Sequence, residues 1–117
     1  MFDYLRCDYP LPVAGANALE YQTKSTDAQF LDKYEIREDG TLWHFAYEPR
    51  MQEDAEAPMG FWMHRDNERW EHDAMTGEIV FTAYPGDVFK EENRVTFSAY
   101  FVRGELKHLE HLKTPNV

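Results

Sequence analysis

His108 and His111 flank Glu110 near one end of the chain, and His72 sits between Glu71 and Asp73. Imidazoles and carboxylates at that density are what a zinc ion takes when three or four converge. Two histidines three residues apart share one side of a helix but point to opposite faces of a strand. The surrounding GELKHLEHLK follows a hairpin-like reversal at Arg103-Gly104, so it reads as a strand and the pair loses its geometry. No metal and no cofactor are expected, and solvent-facing histidines are the competing reading.

His44 lies beside Glu35 on one face of a predicted hairpin, and an imidazole oriented by a carboxylate can serve as a general base. Its only thiol partner would be Cys7, the sole cysteine. No Cys-His signature surrounds Cys7, and a lone cysteine commonly packs as a small buried hydrophobe. Glu71, Asp73 and Glu78 gather about a turn, where carboxylates divide acid and base duties only if one is desolvated. Gln22-Thr23-Lys24 carries two readings: Lys24 holding an anion, or Gln22 and Thr23 satisfying a backbone turn while Lys24 stays outside. No catalytic residue is assigned, and the chain is expected not to be an enzyme.

Gly15, Gly40, Gly60, Gly77, Gly86 and Gly104 stand singly at turn-like positions, with neither a dinucleotide fingerprint nor a phosphate-cradling loop. Eight Phe, seven Tyr and three Trp could stack bases on a sheet, but basic residues do not interleave with them. Most of these rings are expected in a core.

The 117 residues suit one domain, 1–117, and their net charge of −10 argues against a grip on nucleic-acid phosphates or anionic membranes. A hydrophobic content of 43% is enough for a compact core. The lone cysteine excludes an intrachain disulfide and suits a reducing compartment. MFDYLRCDYP lacks the basic and apolar regions of a secretory signal, and no apolar run is long enough to span a membrane, so a cytoplasmic location is expected.

The acidity is front-loaded: residues 1–59 hold twelve acids and five bases, and residues 60–117 hold ten and seven. Its densest parts are 27–39 and the stretch with Glu48, Glu53, Asp54 and Glu56, shortly followed by Phe61 and Trp62. Acids beside aromatic anchors suit a protein partner with a basic surface. An acidic surface also keeps a small protein soluble.

Positioning these residues falls to short alternating runs. In YEIREDGTLWHF, a two-residue turn at Asp39-Gly40 would set Ile36 opposite Trp43 and Tyr34 opposite Phe45. RWEHDAMTGEIVFTAY predicts a second hairpin, in which a four-residue loop of Ala74 to Gly77 would pair Trp70 with Phe81 and His72 with Ile79, and a shorter bulged loop would shift these partners by one. RVTFSAYFVRGELKHL predicts a third, with Val95, Phe97 and Phe101 in the core. FDYLRCDY reads as an edge strand and PLPVAGANA as an extended loop; 48–60 and 85–93 read as polar loops. Thr26 with Gln29 three residues on is a capping pattern for a short helix near 26–33.

RCDYPLP, then EYQTK, then LDKYEIREDGTL resembles a group of small uncharacterised bacterial and phage proteins that read approximately R-C-x-x-P-L-P, F-Q-T-K and Y-x-I-x-x-D-G-x-L. Tyr21 stands here where that pattern has Phe. The resemblance spans roughly residues 2 to 45 and implies a bacterial or phage origin and a β-rich fold, with no chemistry to carry over.

The fold expected is mainly β: a single-domain antiparallel sheet, as a sandwich or half-open barrel of hairpins, with at most one short helix near 26–33. The function expected is a non-enzymatic acidic protein-binding module of phage or prophage type, inhibiting or redirecting a host nucleic-acid-handling or defence protein. Its expected contacts are Glu48, Glu53, Asp54, Glu56, Phe61 and Trp62. The alternatives are a small ligand-binding or enzymatic β-barrel with a His/carboxylate site, and a structural subunit that dimerises through edge strands.

Overall fold

A computed structural model of the chain describes residues 2–26, 31–85 and 94–112. Within them the fold is mainly β, with one 3₁₀ turn at Ala16–Ala18. The strands are β1 (Asp3–Cys7), β2 (Glu20–Thr23), β3 (Lys33–Ile36), β4 (Leu42–Glu53), β5 (Phe61–His72), β6 (Gly77–Ala83), β7 (Val95–Val102) and β8 (Glu105–Leu112). They make one sheet in the order β5-β4-β3-β1-β2-β6-β7-β8. Of the two expected arrangements, a single unclosed sheet forms and not a two-sheet sandwich. Residues 27–30 of the helix expected near 26–33 lie outside the described residues, and Lys33 already belongs to β3. Most of the loop expected at 85–93 lies outside them too.

Among the named strands all pairings are antiparallel except β1 with β3, which run parallel. The N-terminal segment is thus not an edge strand: β1 pairs on both sides and sits fourth in the order. Its alternation of buried Asp3, Leu5 and Cys7 with Tyr4 and Arg6 is that of a strand with one face on the core. Pro10 and Pro12 fall after it, so no ladder bond is lost to them.

The β3–β4 hairpin forms, one register away from expectation. Ile36 faces Leu42 and Tyr34 faces His44, while Trp43 lies opposite Glu35. The turn holds three residues, Glu38, Asp39 and Gly40, closed by Gly40 N–H to Arg37 C=O at 2.8 Å and Arg37 N–H to Thr41 C=O at 2.9 Å. Gly40 takes the left-handed conformation, φ +83°, that such a loop requires at its last position. The extra residue turns Trp43 and Phe45 to the outer face, where Arg37 stacks 3.8 Å from the Trp43 ring and Lys33 lies 5.9 Å from Phe45.

The second hairpin does not form. β5 pairs with β4, and β6 lies between β2 and β7. Residues 73–76 cross between distant elements instead of reversing: Asp73 N–H bonds Leu42 C=O at 2.9 Å, and Gly104 N–H bonds Met75 C=O at 2.8 Å. Leu42 N–H to Gly104 C=O at 2.9 Å and Leu106 N–H to Gly40 C=O at 2.8 Å complete this seam. The sheet curls until its β3–β4 and β7–β8 turns meet, without closing into a barrel.

The third hairpin is as expected. Arg103 and Gly104 both have positive φ, +52° and +77°, the signature of a tight mirror-image turn. Phe97, Ala99 and Phe101 are fully buried and Val95 packs against the core. Lys107 is an extra residue in β8, since Tyr100 faces His108 but Phe101 faces Leu106. That bulge lets Leu106 and Leu109, three apart, both meet the core.

The core fills the concave face. Tyr21, Phe81 and Phe97 pack with ring centres 5.0–6.1 Å apart. Tyr21 donates its hydroxyl to Ala16 C=O at 2.7 Å, drawing the 3₁₀ turn onto the core. Asn17 holds the preceding loop: its amide donates to Cys7 and Tyr9 carbonyls and its oxygen accepts Leu11 N–H.

Candidate functional site

The long β4–β5 hairpin outgrows the sheet. β3 reaches only to His44, so the segments 48–53 and 61–66 have each other as their sheet neighbours. Six paired residues at strand rise make an arm of about 20 Å, and the molecule is correspondingly elongated, 54 × 34 × 21 Å. The first half of the sequence expected to be a loop at 48–60, residues 48–53, is therefore strand, and the turn is confined to Asp54–Gly60. Pro49 tolerates this because β4 has a single neighbour there, the position in which a strand accepts proline.

A bulge sets the arm off from the sheet. Between the pairs Ala46–Arg69 and Glu48–Asp66 the register slips by one. Asn67, in the left-handed region at φ +53°, carries the slip and donates to Glu48 at 2.6 Å. Such a bulge sharpens local twist. Tyr47 ties the arm's base down, with its hydroxyl 3.3 Å from Asp32 and its ring 4.5 Å beneath the Arg65 guanidinium.

The arm has two unlike faces. One is a polar ladder: Arg50 pairs Asp66 at 2.7 Å, Gln52 meets His64 at 2.8 Å, and the Trp62 indole donates to Asp54 at 2.9 Å. On the other, Pro49 lies opposite Arg65, Met51 opposite Met63 and Glu53 opposite Phe61. Met51, Met59, Trp62 and Met63 are 47–76% exposed, four of the six large hydrophobic side chains that stand out from the described residues. Met51 and Met63 share one face of the arm, and Trp62 lies on the other. Methionine is the adaptable residue of binding surfaces.

The six residues expected at a partner contact, Glu48, Glu53, Asp54, Glu56, Phe61 and Trp62, all lie on this arm. Phe61 and Trp62 nevertheless point to opposite faces, because they are neighbours in one strand. The methionines, which the sequence reading passed over, share the apolar face with Phe61. Their signal was Met51 and Met63 at symmetric distances from the 54–60 turn, legible only once that turn is known to be one. The tip is ordered by its own bonds, with Asp54 accepting Glu56 N–H at 3.0 Å. That bond and the Trp62 indole hold the Asp54 carboxyl below its ordinary range.

The remaining chemical candidates are dispersed. His108 faces Tyr100 on the exposed side, and His111 faces Phe97 on the core side, 5.1 Å from its ring. Among the described residues no group of three or more His, Cys, Asp or Glu is placed to share a metal ion. Glu71 pairs Arg69, Asp73 caps Met75 N–H and Glu78 accepts from Ser98, so the three acids serve three separate contacts. Cys7 is buried and its thiol bonds Tyr9 C=O at 3.4 Å. Burial pushes its pKa up to about 11, so it is no nucleophile at neutral pH.

His44 has a carboxylate partner, though not Glu35, which lies on the opposite face. Its Nε2 is 3.3 Å from Asp32, and its ring stacks on Tyr34 with centres 4.4 Å apart. Asp32 belongs to a buried polar group in which the fully buried Asp3 accepts Asp32 N–H at 3.0 Å and the Thr26 hydroxyl. The outer face also carries a groove of about 550 Å³ lined by Tyr4, Arg6, Glu20, Lys33, Glu35 and Trp70.

No family model matches the chain, no curated protein matches it in sequence, and no solved structure matches its fold. No helix among the described residues is long and apolar enough to cross a membrane.

Proposed function

We propose that the chain is a non-enzymatic, acidic protein-binding module of phage or prophage type that docks its β4–β5 arm on a host protein that handles nucleic acid or serves defence. The phage assignment rests on the N-terminal resemblance. The docking assignment is carried by one observation: Met51 and Met63 stand exposed on an arm whose tip carries Glu53, Asp54 and Glu56 and no basic residue. The apolar face supplies burial, and the acids steer the approach to a basic rim. The partner's matching surface is an apolar cleft edged by Lys and Arg.

The test is capture from bacterial lysate by the wild-type chain and by Met51→Glu/Met63→Glu, at low and raised salt. A protein retained by the wild type, shed as salt rises and lost with the variant supports the reading. Equal capture by both chains overturns it.

A second reading, a small ligand-binding or enzymatic β domain with a His/carboxylate site, draws on the His44–Asp32 pair. His44→Ala would abolish such an activity while leaving arm-dependent capture intact. Dimerisation through edge strands, the third alternative, has the outer edge of β8 available to it but not the N-terminal strand, which is interior.

A further inference from the structure

The core fills one face of the sheet, and the other face is hollowed by the groove of about 550 Å³. Its floor is the outward row of β1 and β3, where Tyr4 lies directly opposite Lys33 and Arg6 opposite Glu35. Glu20 of β2, the other neighbour of Arg6, continues that floor. Trp70 bounds the groove on one side, its ring set edge-on to Phe45 with centres 5.1 Å apart, and Ala18 of the 3₁₀ turn bounds the other. Trp70 stands inboard of the Asn67 bulge, so the groove belongs to the sheet and not to the arm.

Two charges on the floor are matched by neighbours: Arg6 pairs Asp8 at 3.1 Å and Glu35 pairs Arg37 at 3.2 Å. Four polar groups are not. Among the described residues the Tyr4 hydroxyl, the Trp70 indole N–H and the Glu20 carboxylate make no hydrogen bond, and the Lys33 ammonium meets only the Phe45 ring, at 5.9 Å. Lys33 and Glu20 cancel in charge, which leaves the groove with no net attraction for an anion or a cation. What remains is donors and acceptors side by side. A ligand hydroxyl, itself donor and acceptor, satisfies both kinds. Half-buried Tyr4 and Trp70 add ring surface, and the negative face of an indole receives C–H groups.

We propose that this groove binds a neutral saccharide, with a pyranose ring stacked on Trp70 and its hydroxyls bonded to Tyr4, Lys33 and Glu20. An extended peptide is the poorer fit, because β1 and β3 are paired on both sides and offer no free edge to another backbone. An uncharged ligand is indifferent to the chain's net charge of −10. The volume falls within the usual range for small-molecule pockets, about 300–1,000 Å³.

The experiment is an NMR titration of the intact chain, reading amide and indole N–H signals, with cellotetraose, maltotetraose and N-acetylchitotetraose in turn and tetraglycine as the peptide probe. At least one sugar should give saturable shifts at the Trp70 indole and at the Tyr4, Glu20 and Lys33 amides, with half-saturation below about 10 mM. Trp70→Ala should weaken that binding about tenfold or more. Tyr4→Phe, which keeps the ring and loses only the hydroxyl, should weaken it about threefold. Trp70→Ala also takes a neighbour from Phe45, so if that variant fails to fold, Tyr4→Phe and Glu20→Ala, the latter at an exposed and unpaired side chain, decide the matter. Absence of saturation by every one of these sugars up to about 10 mM overturns the proposal. So does binding that the folded variants leave unchanged, and so does saturation by tetraglycine alone, which would mark a peptide site.

Discussion

Met51 sits directly opposite Met63 across the β4–β5 ladder, and the two are 60% and 55% exposed. Neither contributes to the core, so replacing both with Ser should change stability by no more than about 0.5 kcal/mol. If the arm docks as proposed, partner capture should nevertheless fall at least tenfold, because the apolar centre of the proposed contact is gone. Equilibrium urea unfolding reads the first quantity and a binding titration the second; a large loss of stability would place the methionines inside the fold instead.

At the arm's tip, the Asp54 carboxyl lies below its ordinary value of 3.8, first through Glu56 N–H and then through the Trp62 indole. A carboxyl depressed in the folded state stabilises it above its unfolded pKa and loses that contribution as pH falls through the folded value. The order of the tip should therefore persist through pH 4 and disappear only below the ordinary carboxylate range. Trp62 fluorescence in an Asp54→Ala variant should show no such acid transition, while the wild type shows one.

Alkali acts on the core. Burial raises Cys7 from 9.0 to about 11 and Tyr21 from 10.0 to about 12. Both neutral forms are favoured by folding, so their contribution is complete below the unfolded values and drains away as pH climbs through the folded ones. Stability should begin to fall above pH 9, and in Cys7→Ala only above pH 10. Parallel decline of the two chains between pH 9 and 10 would contradict this.

Asp3 is a carboxylate with no exposure, and it satisfies Asp32 N–H and the Thr26 hydroxyl. Asp3→Ala leaves two buried donors without their acceptor and should cost about 1–3 kcal/mol per orphaned group. Asp8→Ala, which breaks only the exposed pair with Arg6, should cost about 0–1 kcal/mol. Chemical denaturation of the two variants separates these cases.

Gly104 admits no side chain. A Cβ there would collide with the Asp73 carbonyl and the His72 ring, and φ is +77°. Gly104→Ala should cost about 2 kcal/mol or more, in the range of strained backbone positions. It should also raise amide exchange at Leu42 and Leu106, whose N–H groups lie in the same seam. Loss of stability without that local exchange would mean the seam is not the element disturbed.

The strands themselves were legible wherever alternation was uninterrupted, as in the run from Val95 to Val102. What sequence reading missed depends on one-residue insertions. Glu38 joins Asp39 and Gly40 in the loop and moves Trp43 to the other face; Lys107 and Asn67 do the same in β8 and β5. Period-two logic has no means to place a bulge, because the inserted residue carries no required type. The crossing at 73–76 was hidden for a different reason. Its partners, Leu42 and Gly104, are some thirty residues away on either side, and Thr76-Gly77 has the composition of a local reversal. The acids of the arm were visible by density alone. Their support was not, since a segment with two prolines gives no local sign that it is half of a ribbon.

The seam at Gly104 and the bulge at Asn67 divide the hairpin mechanically. Inboard, Leu42 is bonded to both Gly104 and Asp73 and moves with the curled sheet. Outboard, a two-stranded ribbon has no third strand to resist bending, so the arm is a cantilever rooted in a stiff block. Bending there would carry the methionines and the acids together and leave the core pairing untouched. For the docking role proposed above, the reach of the arm would then be set by the ribbon's stiffness at the Asn67 bulge, and straightening that bulge would change how far the arm extends before it changes which side chains it presents.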